Sequence, residues 1–184
     1  MNAKLILVSG YCATGKSTFS RILSKNLSIP CFNKDTLKES MADGFDVCNE
    51  EVFKKGSAAT FKVMFHIAEC FLQIGKTCIL ESNFRYTEGE EIRQLVEKYK
   101  ANCLTYAFIG DLNTLYDRYA NRQDADERHW VHIDAGDRDA FVNGHMHWKM
   151  GQIEVGQVIR IDATDFNKIN YDELIIAAEN FVER

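Results

Sequence analysis

Apolar and polar positions follow two alternating rhythms along this chain. Short, unbroken apolar runs recur at 4–9 (KLILVS), 29–33 (IPCFN), 76–82 (KTCILES), 102–110 (NCLTYAFIG) and 157–164 (QVIRIDAT). Such continuity suits strands buried on both faces, where no solvent face demands a polar residue at every second position. Pro30 fits the first residue of the second run. Between the runs, apolar residues recur at helical spacing. Phe19, Ile22, Leu23 and Leu27 predict a helix from near Gly15 to about Leu27. The stretch DTLKESMADG reads as a short helix stopped by Gly44. Segment 50–74 predicts a long helix with Val52, Phe53, Phe61, Met64, Phe65, Ala68, Phe71 and Leu72 turned to a core, and Gly75 closing it. An amphipathic helix is expected over 87–100, with Thr87 as N-cap and Glu90 at capping-box spacing. Another is expected over 111–123, capped by Asp111, and YDELIIAAENFVER forms a C-terminal one. Strands alternating with helices imply an α/β fold with a parallel sheet covered on both sides.

One stretch breaks the rhythm. Residues 123–150 are polar and charged and carry four of the five histidines. This stretch reads as a mobile lid followed by a helical piece rather than a second domain. With no repeat or low-complexity linker, 1–184 is expected to form one domain, with a lid and acceptor segment at about 117–150. A chain of 184 residues fits that expectation.

The first turn after the first strand carries the most specific chemistry. Gly10-Tyr11-Cys12-Ala13-Thr14-Gly15-Lys16-Ser17, followed by Thr18, matches G-x-x-x-x-G-K-[ST] in a strand–loop–helix setting. The glycines allow backbone angles that side chains forbid. The loop amides and the helix N-terminus then form a concave anion site. Lys16 places a charge on the β- and γ-phosphates, and Ser17 offers a hydroxyl to Mg²⁺. The loop therefore points to a nucleoside triphosphate without naming an acceptor.

Several classes fall away. NKDT at 33–36 looks like a GTPase base-reading motif, but it follows the second strand instead of lying late in the chain. A motor or AAA+ ATPase needs more chain than this. A small kinase fits the length, and three features point the same way. Asp35 stands just past the second strand, at the sheet edge where ligands bind, and could take the proton of an acceptor hydroxyl. A helix cap is the plainer reading of the same residue. Lys38, one turn on, could hold an acceptor anion. Glu81 ends the third strand where a metal-directed acid would stand, with Ser82, Asn83 and Arg85 extending the tip. Its plainer reading is an exposed strand-end carboxylate. Arg118 and Arg122 share a helix face, and Arg128 follows in the polar stretch. Such arginines can stabilise a transferring phosphoryl group once a lid closes. Solvated pairing with Asp117 is their plainer reading.

Other features carry less. His145-x-His147 could ligate a metal, but no third ligand lies beside them, and residues two apart do not share a helix face. Trp130 and Trp148 suit stacking on an acceptor or packing of the lid. His66 and the phenylalanines of the long helix suit the core. The formal net charge of −5 argues against a long polyanion as obligate partner, though not against a short oligonucleotide end held by a local basic patch. No two of the six cysteines form C-x-x-C. Cys31, Cys78 and Cys103 fall in apolar runs, as buried reduced thiols of a cytosolic protein would. No apolar run approaches the roughly 20 residues of a membrane helix, and the N-terminal run is too short for a signal peptide.

Taken together, GYCATGKSTFSRILS, FNKDTLKE, CILESNFR and LYDRYANR resemble a family of P-loop kinases. That family includes 5′-hydroxyl polynucleotide kinase domains and chloramphenicol phosphotransferase-, zeta-toxin- and gluconate-kinase-like proteins. The resemblance spans about 4–165. It implies a P-loop three-layer sandwich whose five-stranded parallel sheet is ordered 2-3-1-4-5, with a helical lid. It further implies ATP and Mg²⁺ as cofactors, Asp35 as general base, Arg118 and Arg122 as lid arginines, and IDATD (161–165) near the adenine. Glu81 departs from the commoner Asp. Lys38 departs from an arginine that grips the acceptor phosphate in polynucleotide kinases, and so loses a bidentate fork. The expectation is an ATP-dependent kinase acting on a hydroxyl of a small molecule, with Asp35, Lys38, Arg85 and Arg128 toward the acceptor and Ser17 and Glu81 toward the metal. A 5′-OH polynucleotide kinase and a slowly hydrolysing ATP-binding regulatory module are the rival readings.

Overall fold

The structure, a computed structural model, describes residues 3–44, 50–125, 129–132 and 136–183, with side chains left aside at 50–55 and 123–125. Five parallel strands form one sheet in the order β2-β3-β1-β4-β5. They are β1 Lys4–Gly10, β2 Cys31–Asn33, β3 Cys78–Glu81, β4 Asn102–Ile109 and β5 Gln157–Asp162. The helices are α1 Lys16–Leu27, α2 Lys34–Asp43, α3 Glu50–Gln73, α4 Tyr86–Lys98, α5 Leu112–Ala125, α6 Arg138–His147 and α7 Tyr171–Glu183. This is the five-stranded parallel order that the family resemblance implies.

Every residue of β1 is buried, as its unbroken apolar run requires. Alternate side chains enter opposite cores because successive strand residues point to opposite faces. Leu5 and Leu7 join Phe61, Met64, Ala68 and Leu72 of α3 and Ile92 of α4. Ile6 and Val8 join Phe19 and Leu23 of α1 and Ala178 of α7. Each fully buried side chain of this size contributes about 2 kcal/mol. The register sets Val8 beside Glu81 and Gly10 beside Phe108. The tips of β1, β3 and β4 therefore end at one edge, where ligands of parallel sheets bind.

Local details differ from the pattern-based expectation. Pro30 lies just before β2, and its carbonyl still accepts the Ile79 N–H at 2.9 Å. The α4 cap is Arg85 rather than Thr87. Its backbone N–H donates to Glu88 at 2.8 Å, so the box sits two residues earlier than the Thr87–Glu90 spacing suggests. Asp111 does cap α5, accepting from the Thr114 N–H at 2.8 Å. The stripe positions Val52 and Phe53 lie outside the described side chains. Within 123–150, α6 is the helical piece. Asp137 caps it, and the Arg138 guanidinium straps it to α5 through Asp117 at 2.5 Å.

Candidate active site

The loop between β1 and α1 is wound by what surrounds it. A Cβ on Gly10 would lie 2.0 Å from the Phe108 carbonyl oxygen, so only glycine allows this approach to β4. Ala13 and Gly15 have φ of 58 and 81, which turn the loop inward. No side chain caps α1, so its first amides remain available to an anion. Lys16 is 5% exposed. Its Nζ donates to the Tyr11 carbonyl and, at 3.4 Å, to Thr14 Oγ1. Burial pulls its pKa down, against the opposing pull of Glu81, Cys12 and Asp35. An anionic ligand would relieve that cost.

Across from Lys16 stands a network begun by Asn33. Its side-chain oxygen caps α2 by accepting the Thr36 N–H at 2.8 Å, while its Nδ2 donates to Glu81. The cap is thus Asn33, which leaves the Asp35 carboxylate free of that task. Asp35 is half-exposed and pairs with Lys34 at 3.1 Å. Burial pushes its pKa up, but Lys34, His132 and Lys16 prevail and hold it below the ordinary range. It is an ionised carboxylate at neutral pH. Glu81 is only 3% exposed, contrary to the simple exposed strand-end reading. Burial pushes it up to about 7, while Lys16 and a hydrogen bond with Ser17 pull it down. Asn33 is a site residue that sequence reasoning missed, although an Asn before a helical stretch is an N-cap signal.

A cavity of about 810 Å³ opens from Ser17 between α1 and the β2–α2 turn, and Asp35, Arg122, His129 and His132 line it. Arg21 and Lys25, also unmarked in the sequence reading, line its α1 wall. A smaller cavity of about 190 Å³ lies on the other side of Asp35, against Glu81, Asn83, Arg85 and Met150.

The other expected cations divide their work. Arg118 and Arg122 do not act as a pair. The Arg118 guanidinium donates to the Ala163 and Thr164 carbonyls at 2.5 and 2.6 Å and lies 3.9 Å over the Phe166 ring. It therefore faces the loop after β5, while Arg122 faces the larger cavity. Lys38, expected at an acceptor anion, is 2% exposed, and its Nζ donates to the Val131 carbonyl at 2.9 Å. Burial took it out of the cavity: its ammonium ties α2 to 129–132. That contact is reinforced by His132 against Glu39 at 2.6 Å and His129 against Asp43 at 3.0 Å. Arg85 lines the smaller cavity, but buried Glu88 binds its guanidinium at 2.6 Å, and it lies 4.8 Å over Trp148. Arg128 lies outside the described residues.

Ser17 and Glu81 offer hard oxygen donors suited to Mg²⁺. Among the described residues no group of three His, Cys, Asp or Glu forms a self-sufficient metal site. This donor set fits a magnesium ion that takes its remaining ligands from phosphates and water. His145 and His147 do not act together. His145 is turned onto the phosphate loop, and the His147 ring lies 4.8 Å from that of Trp148.

With this geometry in place, comparison with known proteins locates the family. A family model described as an AAA domain matches residues 5–138, and the chain belongs to that family. No curated protein matches the sequence. A candidate kinase of Chloroflexus aurantiacus shares 26% identity over 98% of each chain, with a TM-score of 0.82. A gluconokinase of Sinorhizobium meliloti shares 12% identity over 96% of this chain and 89% of its own, with a TM-score of 0.58. An APS kinase of Mycobacterium tuberculosis, solved with AMPPNP and APS, shares 14% over 100% and 99%, with a TM-score of 0.59. The last two are similar in fold alone. The family match and these neighbours bear out the resemblance to P-loop kinases.

Proposed function

We propose that the protein is an ATP-dependent kinase that transfers the γ-phosphoryl group to a hydroxyl of a small molecule in the cytosol. The observation that carries this reading is the Asp35 carboxylate. It is relieved of capping by Asn33, held ionised, and lines a cavity that also reaches Ser17 at the mouth of the phosphate loop. A carboxylate so placed can accept the proton of an attacking hydroxyl. Lys16 and the loop amides hold the β- and γ-phosphates and neutralise charge that builds on them. Arg122 supports the transferred group from the cavity wall. Arg118, stacked on Phe166 beside the loop at 163–164, borders the nucleotide base. Ser17 and Glu81 would hold Mg²⁺, which supplies charge neutralisation at the phosphate oxygens when bound. The buried thiols of Cys78 and Cys103 support a reducing compartment.

A 5′-OH polynucleotide acceptor is the second reading, favoured by Arg21 and Lys25 on the cavity wall and opposed by the burial of Lys38. The test is transfer from γ-labelled ATP with Mg²⁺ to sugars, nucleosides, antibiotics and 5′-OH oligonucleotides, beside Lys16→Ala and Asp35→Ala proteins. Label on one small acceptor, lost in both variants, is the expected result. Label on oligonucleotides alone selects the second reading. Slow hydrolysis without transfer, insensitive to Asp35, would return the protein to the class of regulatory ATP-binding modules.

A further inference from the structure

His145 lies 133 residues from Cys12 in sequence, yet its ring touches the phosphate loop. It is 3% exposed. Its Nδ1 is 2.7 Å from the Phe141 carbonyl, which can only accept, so Nδ1 carries the proton. The other nitrogen, Nε2, then has a lone pair and accepts the Cys12 N–H at 3.1 Å. Phe141 and Tyr11 close on the ring at 4.2 and 5.3 Å. The Cys12 N–H belongs to the same peptide unit as the Tyr11 carbonyl. In a planar trans peptide these groups point in opposite directions. That carbonyl is the one that accepts from Lys16 Nζ and, at 2.8 Å, from Thr14 Oγ1. A second contact lies alongside: a Cβ on Gly151 would stand 2.8 Å from Gly10 Cα, and Met150 N–H donates to the His145 carbonyl at 3.2 Å.

We propose that His145 is a positioning residue for the phosphate loop. Its neutral ring holds the Tyr11–Cys12 peptide so that the Tyr11 carbonyl receives Lys16, and it thereby couples the nucleotide grip to α6. The proposal rests on the loop being a nucleotide site. Protonation would place an N–H on Nε2 facing the Cys12 N–H, and two donors cannot bond. The charge acting on the ring is Lys16. The titratable groups beside it are Cys12 and Tyr11, with Tyr116 and Tyr119 of α5 beyond Phe141. Burial and Lys16 both disfavour the imidazolium, so the brace holds at neutral pH and fails in acid.

The experiment is calorimetric binding of ATP with Mg²⁺, without acceptor, between pH 4.5 and 8, to the wild-type, His145→Gln and His145→Leu proteins. Gln keeps an acceptor near the Nε2 position and does not titrate. Leu at 145 should weaken binding about tenfold across the range, and Gln should bind like wild type at pH 8. Wild type should lose affinity more steeply than the Gln variant as the pH falls below the ordinary histidine range. Identical acid profiles of wild type and Gln, or full affinity of the Leu variant, would overturn the proposal. Nitrogen NMR of wild type at pH 7 decides even if the Leu variant does not fold: an Nδ1-protonated tautomer supports the brace, and an Nε2-protonated one rejects it. Failure of wild type to bind ATP at any pH would instead overturn the nucleotide reading, with the tautomer still judging the contact.

Discussion

Residues 4–27 and residues 112–156 both meet at the phosphate loop, but they arrive by different routes. The first segment is contiguous: one buried strand, one loop and one helix, whose type is set by local pattern even where distant residues pack against it. The second is assembled. Arg118 binds a loop 45 residues onward, His145 reaches back to Cys12, and Lys38 holds Val131 across 93 residues. Under the proposed function, the contrast separates a donor-binding half, written in one contiguous stretch, from an acceptor-facing half, written in tertiary contacts. Substitutions in the first half should remove a function, whereas those in the second should retune it.

The sharpest way to break the first half is Lys16→Ala. Removing one preorganised charge at the transferred phosphates should lower transfer about a thousandfold, measured with γ-labelled ATP. Retained transfer would show that the loop does not hold the donor. Asp35→Asn tests whether the halves are separable. Transfer should fall about a hundredfold or more while ATP affinity stays within about twofold, read by calorimetry. Loss of ATP binding would place Asp35 in the donor half.

Glu81 sits at the join, and its effect is on stability. Its folded pKa of about 7 exceeds the ordinary 4.5. Between those values the folded chain keeps a proton that the unfolded chain has lost. Stability of the metal-free protein therefore falls as pH rises through that window and levels off above it, by on the order of 3 kcal/mol. Urea unfolding at pH 5 and 8 should show the fall in wild type and a flatter response in Glu81→Gln. An equal fall in both would remove Glu81 as its source.

Smaller effects sharpen the acceptor half. Lys38→Met keeps the buried stem but cuts the tie to Val131. It should raise the acceptor KM about fivefold and leave ATP binding unchanged. A changed ATP affinity would mean that the tie serves the donor. Mildest of all, Cys78 and Cys103, held up to about 12 by burial, should be alkylated far more slowly than exposed Cys70 in the native protein. Mass spectrometry after brief iodoacetamide treatment checks this.

The legibility of the sequence follows the same division. The strands, the phosphate loop and the helical stripe over Phe61, Met64 and Leu72 were readable because burial on both faces, glycine geometry and the 3.6-residue period act over short range. Asn33 was readable in principle as a cap. That it also binds Glu81 was not, because the neighbour of Glu81 is set by strand pairing. Arg118 and Arg122 share a helix, and helix period alone made them look like a clamp. Only the placement of β5 and its following loop showed that one of them is engaged with carbonyls. Lys38 carries a charge that composition assigns to solvent, yet α2 and the segment at 129–132 bury it.

What the sequence determined by itself is the phosphate grip and the sheet that carries it, because both depend on local backbone geometry and on which residues avoid water. Tertiary structure alone decided what surrounds the grip: which carboxylate is buried, which cation faces a cavity and which histidine braces the loop. Those outcomes depend on distances between residues far apart in the chain, and no local spacing encodes them.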